Sequence, residues 1–427
     1  MTDRDPSKPV DSSRRNFLKY SIATAGTLAG VAALGLSAPA SLRSAAWAAG
    51  SDAPEKAALT VGFIPLTDCA SLIVAATQGF AGKYGLTITP SKEASWAGVR
   101  DKLINGELDA AHVLYGMLYG LQLGVGGPRT EMANLMGLNQ NGQAITLSRQ
   151  LREAGVTTAE QLAAKVKEGG KPMTFAQTFP TSTHAMWLYY WLGSHGINPM
   201  SDVKTITVPP PQMVANMRVG NMDGFCVGEP WGARAIYDKI GFTAVTTQQI
   251  WPDHPEKVLG TTRAFIEKYP NAARALVMSL LDASQFIEAS EENKRSTAKL
   301  ISGKAYVNAP VDVIEPRFLS QYDDGLGNTW KDDHAMAFCR GGEVNYPYLS
   351  DGMWFLTQFR RWGLIKQDPD YQAIARSINQ TALYGEAASQ LKLAVPSSPM
   401  RSSTLLDGVV WDGSNPAAYA ASFAVKA

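Results

Sequence analysis

Leu59-Thr60-Val61-Gly62-Phe63-Ile64-Pro65, followed by the polar turn Thr67-Asp68 and a mostly apolar run over residues 70–80, decides the fold class of this chain. A mainly apolar stretch stopped by a proline reads as a buried strand, and the longer run behind it reads as a helix. The unit then recurs. Residues 86–88 give a second strand, 96–104 carry helical spacing ended by Asn105-Gly106, and 108–113 give a third strand with a helix behind it. Alternation of this kind with short loops predicts an α/β fold whose sheet is mainly parallel and flanked by helices.

The same rhythm returns further on. It is read in a strand over 173–176, a helix over 182–194, a strand over 203–208, a helix over 212–219 and a strand over 224–227. Between the two units, residues 144–148 read as a strand leaving the first lobe and 242–247 as one leading back. Two crossings predict a hinge and a cleft between two lobes. Beyond about Thr261 the chain reads as mainly helical, with helices over 272–289, 295–302 and 353–362. The expected boundaries are therefore a linker over 49–58, a discontinuous first lobe over 59–147 and 246–395, and a second lobe over 148–245. The tail over 396–427, rich in Ser, Ala, Pro and Gly, is expected to be a flexible extension.

Outward from the lobes, the amino-terminal segment reads as an address. Ser13-Arg14-Arg15-Asn16-Phe17-Leu18-Lys19 precedes a weakly hydrophobic Gly/Ala-rich stretch and the small residues Ala46-Trp47-Ala48. This order resembles a twin-arginine export signal over residues 1–48, cleaved near Ala48, and places the expected working site in the periplasm. The apolar stretch is broken by Ser21, Thr24, Gly26 and Thr27, which argues against a membrane anchor. Of 39 Lys and Arg against 38 Asp and Glu, the first 48 residues hold six bases and three acids, leaving 33 against 35. A near-neutral body lacks the basic stripe of a nucleic-acid or membrane-surface binder. Three widely spaced cysteines, Cys69, Cys226 and Cys339, read as buried small hydrophobes.

Motifs for catalysis are missing from the sequence: it has no Gly-rich phosphate loop, no HExxH and no paired-cysteine metal motif, and its five histidines are scattered. No enzyme, cofactor or metal is therefore expected. What remains is a set of hydrogen-bond donors at the ends of elements. Trp96 opens a helix and offers one indole N–H, although a tryptophan there also serves as core packing. Gln143 sits on the polar turn before the strand at 144, where a solvated loop residue would look the same. His184 follows the hydroxyl cluster Thr181-Ser182-Thr183 at a helix start, a natural anion site, or else it only helps the cap. Glu229 in Gly228-Glu229-Pro230-Trp231 sits where a helix begins, with Pro230 in the first turn, so its charge is accounted for structurally. Lys257 lies on a proline-punctuated stretch and by itself reads as solvated.

Several stretches together carry a resemblance. They include Trp96-Ala97-Gly98-Val99-Arg100-Asp101-Lys102, Leu108-Asp109-Ala110-Ala111-His112, Asn141-Gly142-Gln143-Ala144-Ile145-Thr146-Leu147, Val208-Pro209-Pro210-Pro211-Gln212-Met213-Val214-Ala215-Asn216 and Asp324-Gly325-Leu326-Gly327-Asn328. From Leu59 to about Thr381 the chain resembles the nitrate- and bicarbonate-binding proteins of ABC importers. That resemblance implies a two-lobed, type II-like periplasmic binding fold and a monomer that hands its ligand to a membrane permease with its ATPase. It implies an oxyanion held by Trp96, Gln143, His184, the Gly228-Glu229 segment and Lys257. In the bicarbonate-binding branch an acidic residue is expected at the position of Lys257, so the lysine favours nitrate or nitrite. Bicarbonate, a taurine-like alkylsulfonate, or a periplasmic cofactor-containing enzyme remain the alternatives.

Overall fold

The computed structural model describes residues 52–427. The export segment over 1–48 and the first part of the linker lie outside the described residues. Ten strands build two sheets: β1 (Ala58–Phe63), β2 (Thr87–Lys92), β3 (Ala110–Leu114), β4 (Met132–Gly137), β5 (Gln143–Ser148), β6 (Thr174–Gln177), β7 (Lys204–Thr207), β8 (Gly224–Gly228), β9 (Gly241–Thr246) and β10 (Lys257–Thr262). The first sheet runs β2-β1-β3-β10-β4 and the second β7-β6-β8-β5-β9. Helices flank both sheets, so the two-lobed α/β reading holds.

Each sheet is mainly parallel, as expected, but is made mixed by one reversed strand. β1 pairs in parallel with β2 and β3, whereas β10 runs antiparallel between β3 and β4. Likewise β6 is parallel to β7 and β8, whereas β5 runs antiparallel between β8 and β9. The reversal comes from the crossings. A chain that leaves one lobe and enters the other arrives at the cleft edge of the sheet, so its first strand there runs away from the cleft. For the same reason the whole of Gln143–Ser148 belongs to the second sheet, which moves the expected boundary from after Leu147 to before Gln143. β4 and β10 are strands that periodicity did not separate from their surroundings.

Local chemistry sets the helix starts. Ser95 and Ser182 accept the amide protons of Gly98 and Ala185, capping the helices Trp96–Ile104 and Thr183–Ser194. The helix Pro270–Glu288 buries Leu276, Leu280 and Leu281 against one face of the first sheet. A second apolar core is continuous across the lobe boundary, where Trp187 meets Trp251 and Trp354 at ring-centroid distances of 5.6 and 4.7 Å. Aromatic pairs of this kind contribute about 0.5–1.5 kcal/mol each beyond their buried area.

The ends of the chain are not loose. Glu55, in the expected linker, accepts the amide protons of Asn271 and Ala272 at the start of a long helix. The tail over 396–427 is packed and not a flexible extension: Leu405, Trp411, Tyr419 and Phe423 are buried. Trp411 Nε1 donates to the Ser350 carbonyl at 2.9 Å, and Tyr190 Oη donates to Asp407 at 2.9 Å. These contacts tie the helix Thr183–Ser194 to the helix Leu349–Arg361. Enough apolar side chains are interspersed in the small-residue sequence to offset the entropy of ordering it.

Candidate functional site

In open α/β sheets, ligands collect beyond the carboxyl ends of the parallel strands. Here β1 ends towards Thr67 and Asp68, β2 towards Trp96, and β3 carries His112. Antiparallel β10 begins at that same edge, its first residue Lys257 in register with Leu114. The second lobe repeats the design, with Gln143 opening antiparallel β5 opposite Gly228 at the end of β8. Two edges therefore face each other, each presenting a long polar side chain from the start of a reversed strand.

The lobes are closed on one another. Thr67 donates from both its amide (2.8 Å) and its hydroxyl (3.0 Å) to the Glu229 carbonyl, and Trp231 Nε1 donates to the Pro65 carbonyl at 2.9 Å. Behind this contact lies a fully buried polar cluster. Lys257 Nζ donates to Asp68 Oδ2 at 2.9 Å and to both carboxylate oxygens of Glu256 at 2.6 Å. His112 Nε2 lies 2.5 Å from Asp68 Oδ1. The indole of Trp96 lies under the ammonium at 5.7 Å, and its Nε1–H is buried without a partner among the described residues. From the other lobe, Gln143 Nε2 donates to Thr183 Oγ1 at 3.3 Å, and the Thr183 hydroxyl donates to Glu256 Oε1 at 3.3 Å.

Direction of donation fixes the state of His184. An amide N–H can only donate, and that of Gly228 points at His184 Nε2 at 3.0 Å. Nε2 is therefore bare and the ring proton sits on Nδ1, 2.6 Å from Thr178 Oγ1. Burial, assisted by the Lys257 charge, holds His184 well below the usual imidazole range, so the ring is neutral. Burial likewise lowers His112, although Asp68 pulls the other way. Burial pushes the Asp68 carboxyl up, yet Lys257 and His112 together outweigh it and hold Asp68 below the usual carboxylate range. Burial opposes the Lys257 charge as well, and Asp68 and Glu256 reverse that, raising its pKa. Glu256 goes the other way. Burial and the Asp68 charge push it up to about 8, against the pull of Lys257.

The fold thus gathers Trp96, Gln143, His184, Gly228 and Lys257 around one buried point. The Glu229 side chain is turned elsewhere: it accepts Arg317 Nε at 3.0 Å and the Ala233 amide at 3.1 Å. The Glu229 main chain accepts Thr67 in the closure and its side chain adds a buried ion pair to Arg317, while the bond from the Ala233 amide is in keeping with its reading as a helix-start carboxylate. Lys257 is buried and not solvated. Sequence reasoning missed Asp68, His112, Thr183 and Glu256. Asp68 stood in the quoted turn and Glu256 beside the quoted lysine, but nothing local signalled that both would meet its charge. A surface groove of about 690 Å³, lined by Pro65, Lys92, Gln212, Arg218, Trp231 and Arg234, opens at the lobe boundary and contains none of the predicted donors. The chemistry favours the buried cluster over the groove. Among the described residues no group of three or more His, Cys, Asp and Glu is arranged to hold a metal, and the three cysteines are buried and unpaired.

Two lobes closing on a water-excluded polar cluster define a ligand-capturing protein of the periplasmic binding fold. Comparison with known proteins makes the assignment specific: residues 52–302 match the NMT1-like family, and the chain belongs to it. It is 39% identical over 392 residues to the nitrate/nitrite binding protein NrtA of Synechocystis, spanning 88% of this chain and 87% of that one. It is 32% identical to the bicarbonate-binding protein CmpA of Synechococcus elongatus, spanning 89% of each. The crystal structure of the periplasmic nitrate-binding protein NrtA from Synechocystis superposes with a TM-score of 0.83 at 37% identity, covering 87% of this chain and all of that one. No helix among the described residues is long and apolar enough to cross a membrane.

Proposed function

We propose that this protein is the substrate-binding component of an ABC importer that captures nitrate or nitrite between its lobes and delivers it to a membrane permease and its ATPase. The observation that carries the reading is the buried Trp96 N–H without an acceptor, set beside the Lys257 ammonium. A buried unpaired donor costs about 1–3 kcal/mol, and a hydrogen bond to a charged group contributes about 1.5–3 kcal/mol. A small anion offers three acceptor oxygens to Trp96, Lys257 and the Gln143 amide at once. The relatives named for nitrate support the ligand class, and a relative named as a nitrate import ATP-binding protein supports the ATPase partner.

Capture without chemistry is the role, a reading supported by the relatives named as binding proteins rather than enzymes. Closure must be favoured by the ligand's differential affinity for the closed form. Export by the twin-arginine route, action in the periplasm, and a monomeric state complete the proposal, with the hinge at residues 138–142 and 247–256.

Bicarbonate is the second reading. It rests on the acceptors in the same cluster, Glu256, Asp68 and the unpartnered Gln143 Oε1, any of which could take the ligand O–H. Thermal-shift and calorimetric titration with nitrate, nitrite, bicarbonate, taurine and sulfate separates the readings by linkage. Saturable stabilisation by nitrate or nitrite is expected. Stabilisation by bicarbonate or taurine alone would replace the proposal.

A further inference from the structure

The ammonium of Lys257 has three N–H donors and no more. Three carboxylate oxygens already lie within bonding distance of it, Asp68 Oδ2 at 2.9 Å and Glu256 Oε1 and Oε2 at 2.6 Å each. An anion entering the cluster therefore reaches this charge only by taking the place of one of the two carboxylates. Which one yields depends on how firmly each is held by groups other than Lys257. Asp68 Oδ1 lies 2.5 Å from His112 Nε2 within its own lobe, so Asp68 keeps its place when the lysine is shared. Among the described residues the other side-chain donor to Glu256 is the Thr183 hydroxyl, at 3.3 Å and from the opposite lobe. His184 Nε2, 3.4 Å from Oε1, already accepts the Gly228 amide and has no proton to offer.

Glu256 also resembles what the site is built to hold. Its carboxylate is a planar, acceptor-only group set between Lys257 of one lobe and Thr183 of the other, and Thr183 opens a helix of 12 residues whose first turn favours negative charge. The Gln143 amide donates to the same Thr183 hydroxyl. Lys257, His184 and, through Thr183, Gln143 thus surround this one side chain.

From this geometry we infer that Glu256 is an internal competitor for the captured anion: its carboxylate fills the ligand's place on Lys257, and nitrate or nitrite binds by exchange, taking those N–H bonds while Glu256 turns away. The inference rests on the anion-capture reading above and makes Glu256 the residue that sets affinity. Lys257 trades bonds to one planar anion for bonds to another, so that exchange by itself is nearly even. The gain comes from the Trp96 N–H, which Glu256 leaves without an acceptor, and from the return of a buried carboxylate to water. Burial and the Asp68 charge raise the Glu256 pKa, and a proton there would only loosen its hold on the ammonium. Glu256 ends the hinge segment proposed above, so parting of the lobes both re-aims it and withdraws Thr183.

Calorimetric titration of the purified wild type, Glu256→Ala and Glu256→Gln with sodium nitrate tests the exchange. Both variants leave Lys257 paired with Asp68, and each should bind nitrate about 10- to 100-fold more tightly than the wild type, because no charge-assisted bond has to be displaced. In Glu256→Ala the place is vacated, and sodium acetate, a carboxylate supplied from outside, should compete with nitrate there while leaving the wild-type titration unchanged at the same ionic strength. Nitrate affinity equal to or below the wild-type value in the folded variants makes Glu256 a partner of the ligand, which overturns the inference and leaves the capture reading intact. Tighter binding with which acetate fails to compete in Glu256→Ala assigns the gain to relief of charge alone and overturns it as well. Absence of nitrate binding in the wild type and in both variants overturns both readings.

Discussion

Replacing Lys257 with methionine tests how the buried cluster holds together. The side chain is nearly isosteric, so the change removes charge and three hydrogen bonds without opening a large cavity. Asp68 keeps only His112, and Glu256 keeps only Thr183 among its donors. Breaking a buried pair by deleting one partner costs about 3–5 kcal/mol, which for a protein of this size lowers Tm by about 4–6 °C. The loss has a pH signature. Without the lysine, both carboxyl pKa values in the folded state rise above their unfolded values, so the folded state holds more protons than the unfolded one above about pH 4. Stability then falls as pH rises, and the variant lies closest to the wild type near pH 5. Nitrate binding loses the charge-assisted bond, about 1.5–3 kcal/mol. It also gains repulsion from Asp68, roughly 4 kcal/mol at about 4 Å and an effective dielectric of about 20. Together these weaken binding by at least about a thousandfold. Adding Asp68→Asn should restore most of the stability and lift the Asp68 repulsion, leaving binding weaker than in the wild type by the lost charge-assisted bond alone, roughly 10- to 100-fold. Calorimetry and thermal melts from pH 5 to 8 read both quantities. A single variant as stable as the wild type across that range, or one whose nitrate Kd lies within tenfold, would refute the charge argument.

Three further perturbations probe separate parts of the design. Trp96→Phe removes the unpartnered N–H, and nitrate affinity should fall by about 10- to 100-fold, matching one hydrogen bond to a charged group; an unchanged Kd would assign the indole to packing alone. Gly228→Ala places a methyl 3.2 Å from Asp68 Oδ2 and 3.4 Å from Leu66 Cδ2 across the cleft. An overpacked contact costs about 1–3 kcal/mol, so calorimetry should show weakened closure with the unliganded melting temperature little changed. Trp411→Ala empties a fully buried site under the helix Leu349–Arg361 and should cost about 3–5 kcal/mol of stability, read by chemical denaturation. A loss below 1 kcal/mol would restore the view of the tail as a loose extension.

Much of the frame was legible in the order of residues. Periodicity placed β1, the helix from Trp96, the strand at 224 and the helix from Thr183 within a few positions, because each is a local contest between backbone preference and one buried face. The hydroxyl cluster Thr181-Ser182-Thr183 announced one helix start by short-range capping. The tail was misjudged because composition was weighed over pattern: Tyr419 and Phe423 stand four apart, and Trp411 lies within reach of them, a small apolar face in a segment otherwise poor in one. β10 was hidden by Pro252 and Pro255, which argue for a loop until the strand begins at Lys257.

By itself, then, the sequence determined the alternation of strands and helices, the two crossings, and the kinds of donor that end up at the cleft. These rest on interactions within a few residues and survive without knowledge of the fold. Only the tertiary structure decided which way the crossing strands run, and hence that Gln143 and Lys257 both begin strands at the facing edges. It also decided the charge state of the site. Asp68 and Lys257 are 189 positions apart in the chain and 2.9 Å apart in space. Electrostatic energy depends on separation and local dielectric, neither of which sequence distance records. A lysine that reads as solvated in the sequence becomes, in the folded protein, the buried counter-ion of two carboxylates.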